Sequence, residues 1–426
     1  MSKRPANLIA GLDVGSSAIR IVVGQIIARE GRSGEPELQI LGAAETTSEG
    51  VHKGAIKSIE DTVSSISACL ERAERMIGLP IDRVYLGISG VHIISKNSKG
   101  FVAVSKADSE ITPDDVNRAI EASRSIATPL NYEVLHIFPK GYAVDDQTGI
   151  KDPAGMTGIR LEVETQIILG SSSQIKNLTT SVYRTGLEIE EMVLSIIAAG
   201  ESALTSRQKD LGVILVNLGG STTSLAVFEE GNVLQTAFLP LGSEHVTNDV
   251  AIGLRTSIDL AEKAKVEFGN CFSEGVSKKD EVDLFELGSV EHELVKKRYL
   301  SEVIEARMEE ILYKVDQELK LIQRSGLLPA GVVFIGGGAK LPGLVELAKK
   351  VLRLPASLGY PLNILSITEK TNDLSFATAV GLVKWGCESL YGGHRVSLSA
   401  ASFRGLGKNV GRAAGWFKKV MKDLIP

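Results

Sequence analysis

The sequence predicts an α/β protein built from two similar halves, because one local pattern occurs twice. Residues 8–46 read as a strand, a turn of glycine and serine, and two further strands; residues 211–241 repeat that order. Asp13 and Asn217 stand near the ends of the two equivalent first strands, about half the chain apart. Apolar runs broken by glycine and small polar residues are typical of strands and tight turns. A repeat on this scale indicates a duplicated α/β unit.

Each of the two first strands leads into a turn of small residues, and such a turn can cradle a phosphate with its backbone N–H groups. For one copy alone, a plain β-hairpin with a glycine turn is the better explanation. A third glycine turn follows the strand GVVFI and precedes an amphipathic helix that starts near Pro342. A glycine turn before a helix favours an anionic or nucleotide ligand, although a tight strand-to-helix connection has the same composition. The three turns together favour a phosphate-containing ligand.

The composition is that of an ordinary globular protein, with 43% apolar and 23% charged residues. It excludes a collagen, a coiled coil and a wholly disordered chain. No apolar run approaches the ~18 residues that span a bilayer, and the N-terminus lacks the core of a signal peptide. Cys69, Cys271 and Cys387 form no CxxC pair, so we expect neither a zinc site nor a disulfide. We expect a cytosolic, reduced chain.

Between the two repeats lies a compact mixed segment, residues 82–165, long enough to be an inserted α+β domain. Thr112 is predicted to cap its helix, with Pro113 at the first helical position. Residues 243–325 are predicted to be mostly helical. Residues 386–411 are rich in glycine and serine, which indicates a flexible linker.

The last residues, 412–426, predict a short amphipathic helix. Seven basic residues and one acid from 392 onward give this end a net charge of +6, which leaves −11 for the body of a chain whose total is −5. A helix with aromatic residues on one face and lysines on the other lies flat on an anionic membrane. The basic residues are too few and too localised for nucleic acid, and a helix docked on the acidic body is the alternative. The predicted membrane residues are Trp416, Phe417, Val420, Met421, Leu424, Lys418, Lys419 and Lys422.

The chain resembles the FtsA family of bacterial cell-division proteins, within the actin, sugar-kinase and heat-shock ATPase superfamily. The resemblance covers about residues 7–385 and the tail, and its most specific stretches are 239–265, 331–344 and 376–382. It implies an actin-like fold with ribonuclease-H-type halves, in which subdomain 1C replaces actin subdomain 1B. The implied domains are 1A (1–81 and 166–205), 1C (82–165), 2A (206–242 and 326–385), 2B (243–325), the linker (386–411) and the terminal helix (412–426).

The resemblance implies ATP and Mg²⁺ in a cleft between the halves. Asp13 is the implied metal residue, acting through water, and Arg20 falls where actin has a lysine. Glu262 and Lys265 match positions near the ribose and adenine. The full implied nucleotide set is Asp13, Gly15, Ser16, Ser17, Arg20, Gly219, Gly220, Ser221, Thr222, Glu262, Lys265, Gly336, Gly337 and Gly338.

Three departures from the family pattern bear on ATP binding and hydrolysis. The second loop usually reads Asp-x-Gly-Gly-Gly, but here Asn217 replaces the Asp and Ser221 replaces the third Gly. An amide cannot take a proton as a general base, and the serine adds bulk beside the phosphates. The first loop often has Lys where Ala18 stands, and Arg20 can supply that charge. We therefore expect ATP binding with weak or absent hydrolysis.

The resemblance also implies a peripheral protein on the cytoplasmic side of the membrane at the division septum. Its implied partners are anionic lipid, other divisome proteins, further copies of itself in an actin-like filament, and the C-terminal peptide of FtsZ. Arg307 matches the peptide-contacting arginine; an ordinary ion pair with Glu310 is the alternative. A PilM-like pilus-assembly adaptor is the alternative function. A sugar or carboxylate kinase is disfavoured because Asn217 removes the obvious catalytic carboxylate.

Overall fold

The computed structural model describes residues 8–27, 37–104, 109–124, 128–290 and 292–391. The predicted membrane helix and the linker beyond residue 391 lie outside these described residues. The described chain forms two compact units, a larger one and a smaller one that comprises Lys96–Leu169. Among the described residues, no helix is both long and apolar enough to cross a bilayer.

The first half of the larger unit begins as the sequence predicts, with a strand, a turn and two more strands. Helix α1 starts at the capping side chain of Ser58 and ends at Gly78, whose φ of +71° suits glycine. The elements are β1 (Leu8–Val14), β2 (Ala18–Ile27), β3 (Glu37–Thr47), β4 (Val51–His52), β5 (Ala55–Ile56), α1 (Ile59–Ile77) and β6 (Arg83–Ile88).

The smaller unit is the insertion that the sequence predicts, but it starts later. Because β6 pairs in parallel with β1, the chain returns to the first sheet before it leaves for the insertion, so the start shifts from residue 82 to Lys96. Thr112 and Asp115 form the predicted cap in reciprocal hydrogen bonds, with proline at the helix start. The elements are β7 (Ile93–Ala103), α2 (Pro113–Ser123), β8 (Tyr132–Val144), β9 (Gln147–Ile150) and β10 (Arg160–Ser171), with sheet order β7-β10-β8-β9.

A second half repeats the first. The chain continues through α3 (Ser172–Arg184), β11 (Glu188–Leu194), α4 (Ser195–Ala203) and α5 (Ser206–Leu211) into β12 (Val213–Leu218), β13 (Thr223–Glu229) and β14 (Asn232–Leu239). Helices α6 (Ser243–Leu254) and α7 (Ile258–Phe268), strands β15 (Glu281–Asp283) and β16 (Leu294–Lys296), and helix α8 (Lys297–Leu321) follow. The remainder is β17 (Val332–Ile335), α9 (Leu344–Leu352), β18 (Ala356–Leu358), β19 (Leu365–Ser366) and α10 (Ala377–Tyr391).

The pairing of the strands confirms the duplication. The first sheet has the order β11-β6-β1-β2-β3-β19, and the second has the order β14-β13-β12-β17-β18. In each sheet the first strand of the repeat lies antiparallel to the next strand and parallel to a later one, β6 or β17. Asp13 and Asn217 occupy matching register positions, opposite Arg20 and Ser224.

The predicted start of the linker needs one correction, because α10 continues to Tyr391. A Cβ on Gly386 would lie 2.5 Å from the ring of Tyr85. Gly386 therefore allows α10 to pack closely against the first sheet. The segment that begins at this glycine has the composition of a linker, but its first residues belong to the helix.

Candidate functional site

The larger unit contains a cavity of about 970 Å³, and three glycine turns meet there. We call residues 13–18 loop 1, residues 217–222 loop 2, and Gly336–Gly338 the GGG turn. All fourteen residues of the predicted nucleotide set line this cavity: Asp13, Gly15, Ser16, Ser17, Arg20, Gly219, Gly220, Ser221, Thr222, Glu262, Lys265, Gly336, Gly337 and Gly338. The fold therefore brings together residues from four separate stretches of the chain.

Loop 1 and loop 2 have the same backbone turn. The N–H of Gly15 donates to the carbonyl of Ala18 at 3.1 Å, and the N–H of Gly219 donates to the carbonyl of Thr222 at 2.9 Å. A Cβ on Gly220 would overlap the hydroxyl of Ser17. Glycine is thus required in loop 2 because the two loops approach each other closely.

Asp13 is the acid of loop 1, and two opposing effects act on the pKa of its carboxyl group. Burial raises the pKa of the Asp13 carboxyl to about 6, while the nearby Arg20 cation acts in the opposite direction. Arg20 is paired with Glu45 on the neighbouring strand, with 2.7 Å between Nε and Oε2. The positive charge of Arg20 is therefore partly neutralised by Glu45 in this structure.

Side chains of both loops cross to the opposite half. Ser17 donates to the Glu244 carboxylate at 3.0 Å, at the start of α6. From loop 2, the Ser221 hydroxyl reaches the first half, where it accepts from the Lys53 N–H at 3.0 Å. Within the first half, the Gly54 N–H donates to the Ser16 hydroxyl of loop 1 at 3.2 Å. Residues 51–56, which we call the bridging hairpin, thus contact both loops.

The GGG turn stands directly beside loop 2. Gly336 has a φ of +90°, and its N–H donates to the carbonyl of Leu374 at 3.0 Å. A Cβ there would overlap the side-chain oxygen of Asn217. The amide of Asn217 is therefore packed against the turn.

Lys265 of α7 forms hydrogen bonds that connect α7 to α6 at the cavity wall. It is 5% exposed, and its ammonium donates to Thr247 at 2.9 Å and to Glu262 at 2.6 Å. Glu262 has a half-exposed side chain and also accepts from Thr247. This arrangement fixes α7 against α6 and leaves Glu262 as the polar group at the cavity edge.

The residues that the sequence reasoning missed include Glu244 and Ser195, which line the cavity, and Lys53, which bonds to loop 2. Glu244 and Lys53 act through contacts with distant loops. Ser195 lies at the start of α4, and nothing in its local pattern distinguishes it from a packing residue. An acidic residue after the pair Gly242–Ser243 marks a helix start, which is a weak signal for Glu244.

Arg307 lies outside the cavity, on α8. It holds Asp249 of α6 through two nitrogens, with Nη2 at 3.0 Å from Oδ1, and it also contacts Glu310. The ion pair with Glu310 that the sequence left as an alternative therefore forms. On α6, Ile252 stands three residues after Asp249 and is 76% exposed, and the hydroxyl of Tyr299 on α8 donates to the carbonyl of Gly253 at 3.3 Å.

The comparisons with known proteins agree with this architecture. The family model described as cell division protein FtsA matches residues 214–381, and the model for the SHS2 domain inserted in FtsA matches 90–169. Cell division protein FtsA of Pseudomonas aeruginosa is 34% identical over 402 residues, covering 94% of each chain. The protein of the same name from Bacillus subtilis is 36% identical over 382 residues, covering 90% of this chain and 84% of its own.

Solved structures show the fold at lower identity. A chain of the PilM-PilN type IV pilus biogenesis complex has a TM-score of 0.65 at 17% identity, over 89% of this chain and 98% of that one. MreB5 of Spiroplasma citri bound to ADP has a TM-score of 0.53 at 12% identity, over 91% and 99%. PilM is thus similar to this chain in fold alone, and this similarity does not support the alternative function in pilus assembly. The sequence relatives and the inserted domain decide the question: the chain is an actin-like member of the FtsA family of cell division proteins.

Proposed function

We propose that this chain is an ATP-binding membrane adaptor that tethers FtsZ filaments to the cytoplasmic face of the membrane at the septum. The observation that carries the nucleotide part is the convergence of loop 1, loop 2 and the GGG turn on one cavity. Backbone N–H groups in glycine turns suit phosphates, and residues in the cavity fit a metal-bound nucleotide.

We assign each residue a role in binding the nucleotide. The glycines of both loops would admit the phosphates, and Asp13 would hold Mg²⁺ through water. The Ser16 hydroxyl accepts from Gly54 and keeps its proton for a phosphate, whereas Ser17 would have to release Glu244 before it could donate to one. Bound Mg²⁺ would neutralise phosphate charge. Loop 2 offers the amide of Asn217 where proton transfer would need a carboxylate. This arrangement supports binding with little turnover.

Equilibrium binding of a fluorescent ATP analogue tests the nucleotide part. Gly220→Ala places a methyl group on Ser17 and within 2.6 Å of the Glu244 carboxylate, so we expect at least a tenfold loss of affinity. Gly275→Ala is the matched control, because its Cβ would meet only Phe272 at 3.7 Å. Equal affinity of the two variants would contradict the proposed site.

The proposed FtsZ site is the surface of α6 and α8 around Arg307. A guanidinium pairs bidentately with carboxylates, and the exposed Ile252 beside it offers apolar contact. An acidic peptide would have to share Arg307 with Asp249 or displace it. Asp249→Asn should therefore strengthen binding of the FtsZ C-terminal peptide, whereas Arg307→Ala should weaken it.

Fluorescence anisotropy with that peptide measures both effects. Arg298→Ala is the control, because Arg298 lies on the same helix and pairs with Glu302 at 3.2 Å. We expect about a tenfold loss for Arg307→Ala, in the range for a charge-assisted hydrogen bond. The same loss in the control would indicate a general charge effect and contradict a specific site.

The membrane part rests on the sequence of residues 412–426. Flotation on anionic liposomes with ATP, comparing the full chain with a version that ends at Gly411, tests it. We expect only the full chain to float. Flotation of both proteins would place lipid binding elsewhere, and flotation of neither would contradict the tether. Filament formation and recruitment of other division proteins complete the proposed adaptor.

A further inference from the structure

Glu244 is the acidic residue in the first turn of α6, and its side chain lies where loop 1 and loop 2 meet. Its carboxylate accepts from the Ser17 hydroxyl at 3.0 Å, and both residues line the cavity. The contact also packs against loop 2, because a Cβ on Gly220 would overlap the Ser17 hydroxyl and lie 2.6 Å from Oε1 of Glu244. Both oxygen atoms thus lie beside the backbone that we propose receives the phosphates.

The Glu244 carboxylate has no cation to neutralise it. Among the residues that the structure describes, it forms no ion pair, and the Ser17 hydroxyl is its hydrogen-bond donor. The cations that line the cavity are each paired with a different carboxylate: Arg20, Lys265 and Lys340. An anion that enters between the loops therefore meets an uncompensated negative charge, which repels it.

The backbone is held in place at both ends of this contact. The carbonyl of Ser17 accepts from the N–H of Ser48 at 3.1 Å, and the N–H of Glu244 donates to the carbonyl of Gly220 at 2.8 Å. The Glu244 side chain itself is long and only half-buried. A change of its rotamer can therefore break the contact without displacing the backbone of either loop.

We propose that the bond between Ser17 and Glu244 is an autoinhibitory contact, and that Glu244 makes the site select metal-bound nucleotide over free nucleotide. While the bond is formed, the Ser17 proton is directed at Glu244 and the carboxylate repels a phosphate. A nucleotide binds only after the Glu244 side chain has turned away. The repulsion is greater for bare ATP than for ATP whose charge is reduced by Mg²⁺. This inference rests on the proposed binding of ATP and Mg²⁺.

The test measures the affinity of a fluorescent ATP analogue in EDTA and in Mg²⁺ for the wild-type chain and Glu244→Gln. The amide keeps an oxygen that accepts from Ser17 and removes the negative charge. We expect the variant to bind about three- to tenfold more tightly in EDTA, on the order of one repulsion between partly exposed charges, and to gain less in Mg²⁺. Glu267→Gln is the matched control, because Glu267 is an exposed acid of the neighbouring helix α7 outside the cavity lining. It should change neither affinity.

Glu244→Lys is a second variant, and it should bind more tightly in EDTA than Glu244→Gln because it replaces repulsion with attraction. Unchanged or weaker binding of both Glu244 variants in EDTA would overturn the inference and leave the proposed function intact. Weaker binding of Glu244→Gln in Mg²⁺ would also overturn it, because Glu244 would then contact the metal. An equal gain in Glu267→Gln would reduce the result to a general charge effect and overturn the inference as well. If the wild-type chain binds the analogue under neither condition, the proposed function fails and the inference fails with it.

Discussion

Loop 1 and loop 2 share one backbone design and differ in the chemistry of matching positions. Asp13 and Asn217 occupy the same register, one an acid whose pKa is raised by burial, the other a neutral amide packed on Gly336. Ser17 and Ser221 also match, and each reaches the opposite half of the unit. The duplication thus preserves the backbone turn, while the matching side chains differ: Asp13 is the proposed metal residue of loop 1, and Ser221 of loop 2 bonds to the bridging hairpin.

The two serines show this difference most clearly. Ser17 is exposed and bonds a side chain, Glu244. Ser221 is 1% exposed and accepts from a backbone N–H, that of Lys53. A hydrogen bond that satisfies a partly buried backbone group has more influence on stability than one at the surface. Ser221 of loop 2 therefore has a structural partner in the bridging hairpin.

The largest expected effect concerns the acid of loop 1. Asp13→Asn removes the charge that we propose orients the metal waters, so the gain in ATP affinity with Mg²⁺ should fall about 10- to 100-fold. Isothermal titration calorimetry with and without Mg²⁺ measures this gain. Asn217→Ala in loop 2 is the matched control and should keep it. Equal losses in the two variants would show that the loops are not specialised.

The second effect concerns pH and the bridging hairpin that joins the loops. The ring of His92 packs near Gly90 and Gly54, its nitrogens have no partner among the described residues, and burial lowers its pKa to about 4. Below about pH 6.5 the unfolded chain binds a proton that the folded chain does not. The contribution of neutral His92 to the free energy of unfolding therefore has its full value above that pH and decreases as the pH falls toward 4.

The variant His92→Leu should remove about 2 kcal/mol of this loss between pH 7 and pH 4.5, since one pKa unit corresponds to about 1.4 kcal/mol. Urea unfolding at the two pH values measures it. Part of the pH dependence should remain, because burial also lowers the pKa of His136 to about 4 in the smaller unit. An identical pH dependence in the variant and the wild-type chain would contradict a neutral buried His92.

The third effect compares the matching serines directly. Ser221→Ala leaves the N–H of Lys53 without its acceptor, which should cost about 1–2 kcal/mol of stability. Ser221→Thr retains the hydroxyl and should recover most of that loss. Chemical denaturation of the nucleotide-free protein measures both values. A neutral alanine variant would mean that Ser221 does not hold the bridging hairpin.

The smallest effect belongs to Ser17. Because its bond to Glu244 is exposed, Ser17→Ala should lower stability by less than about 1 kcal/mol. The same denaturation experiment provides the comparison with Ser221→Ala. A larger loss of stability for Ser17→Ala than for Ser221→Ala would contradict the conclusion that the Ser221 contact is the more important of the two.

Sequence reasoning could identify the duplicated fold and the glycine turns because both leave local patterns. It could not find the partner of Arg20, since Glu45 becomes its neighbour only through the pairing of β2 with β3. The same holds for Lys53 and Ser221, which stand 168 residues apart. Contacts of this kind depend on the folded chain and have no signature in a short window of sequence.

Glycine caused the error at the predicted linker. At residue 386 it permits close packing on Tyr85, although glycine-rich stretches usually indicate loops. The start of the insertion shifted for a related reason, since β6 is a short strand whose parallel pairing with β1 is not visible in its composition. Sequence thus predicts elements better than it predicts their neighbours.

The most direct test of the central claim is steady-state phosphate release from Mg²⁺ and ATP by the wild-type chain and Asn217→Asp. The specialisation of the loops predicts slow turnover in the wild-type chain, because loop 2 has no proton acceptor at this position. It predicts at least a tenfold increase when the carboxylate is restored, a modest part of what general-base catalysis supplies. Rapid wild-type turnover that Asn217→Asp does not raise would contradict it.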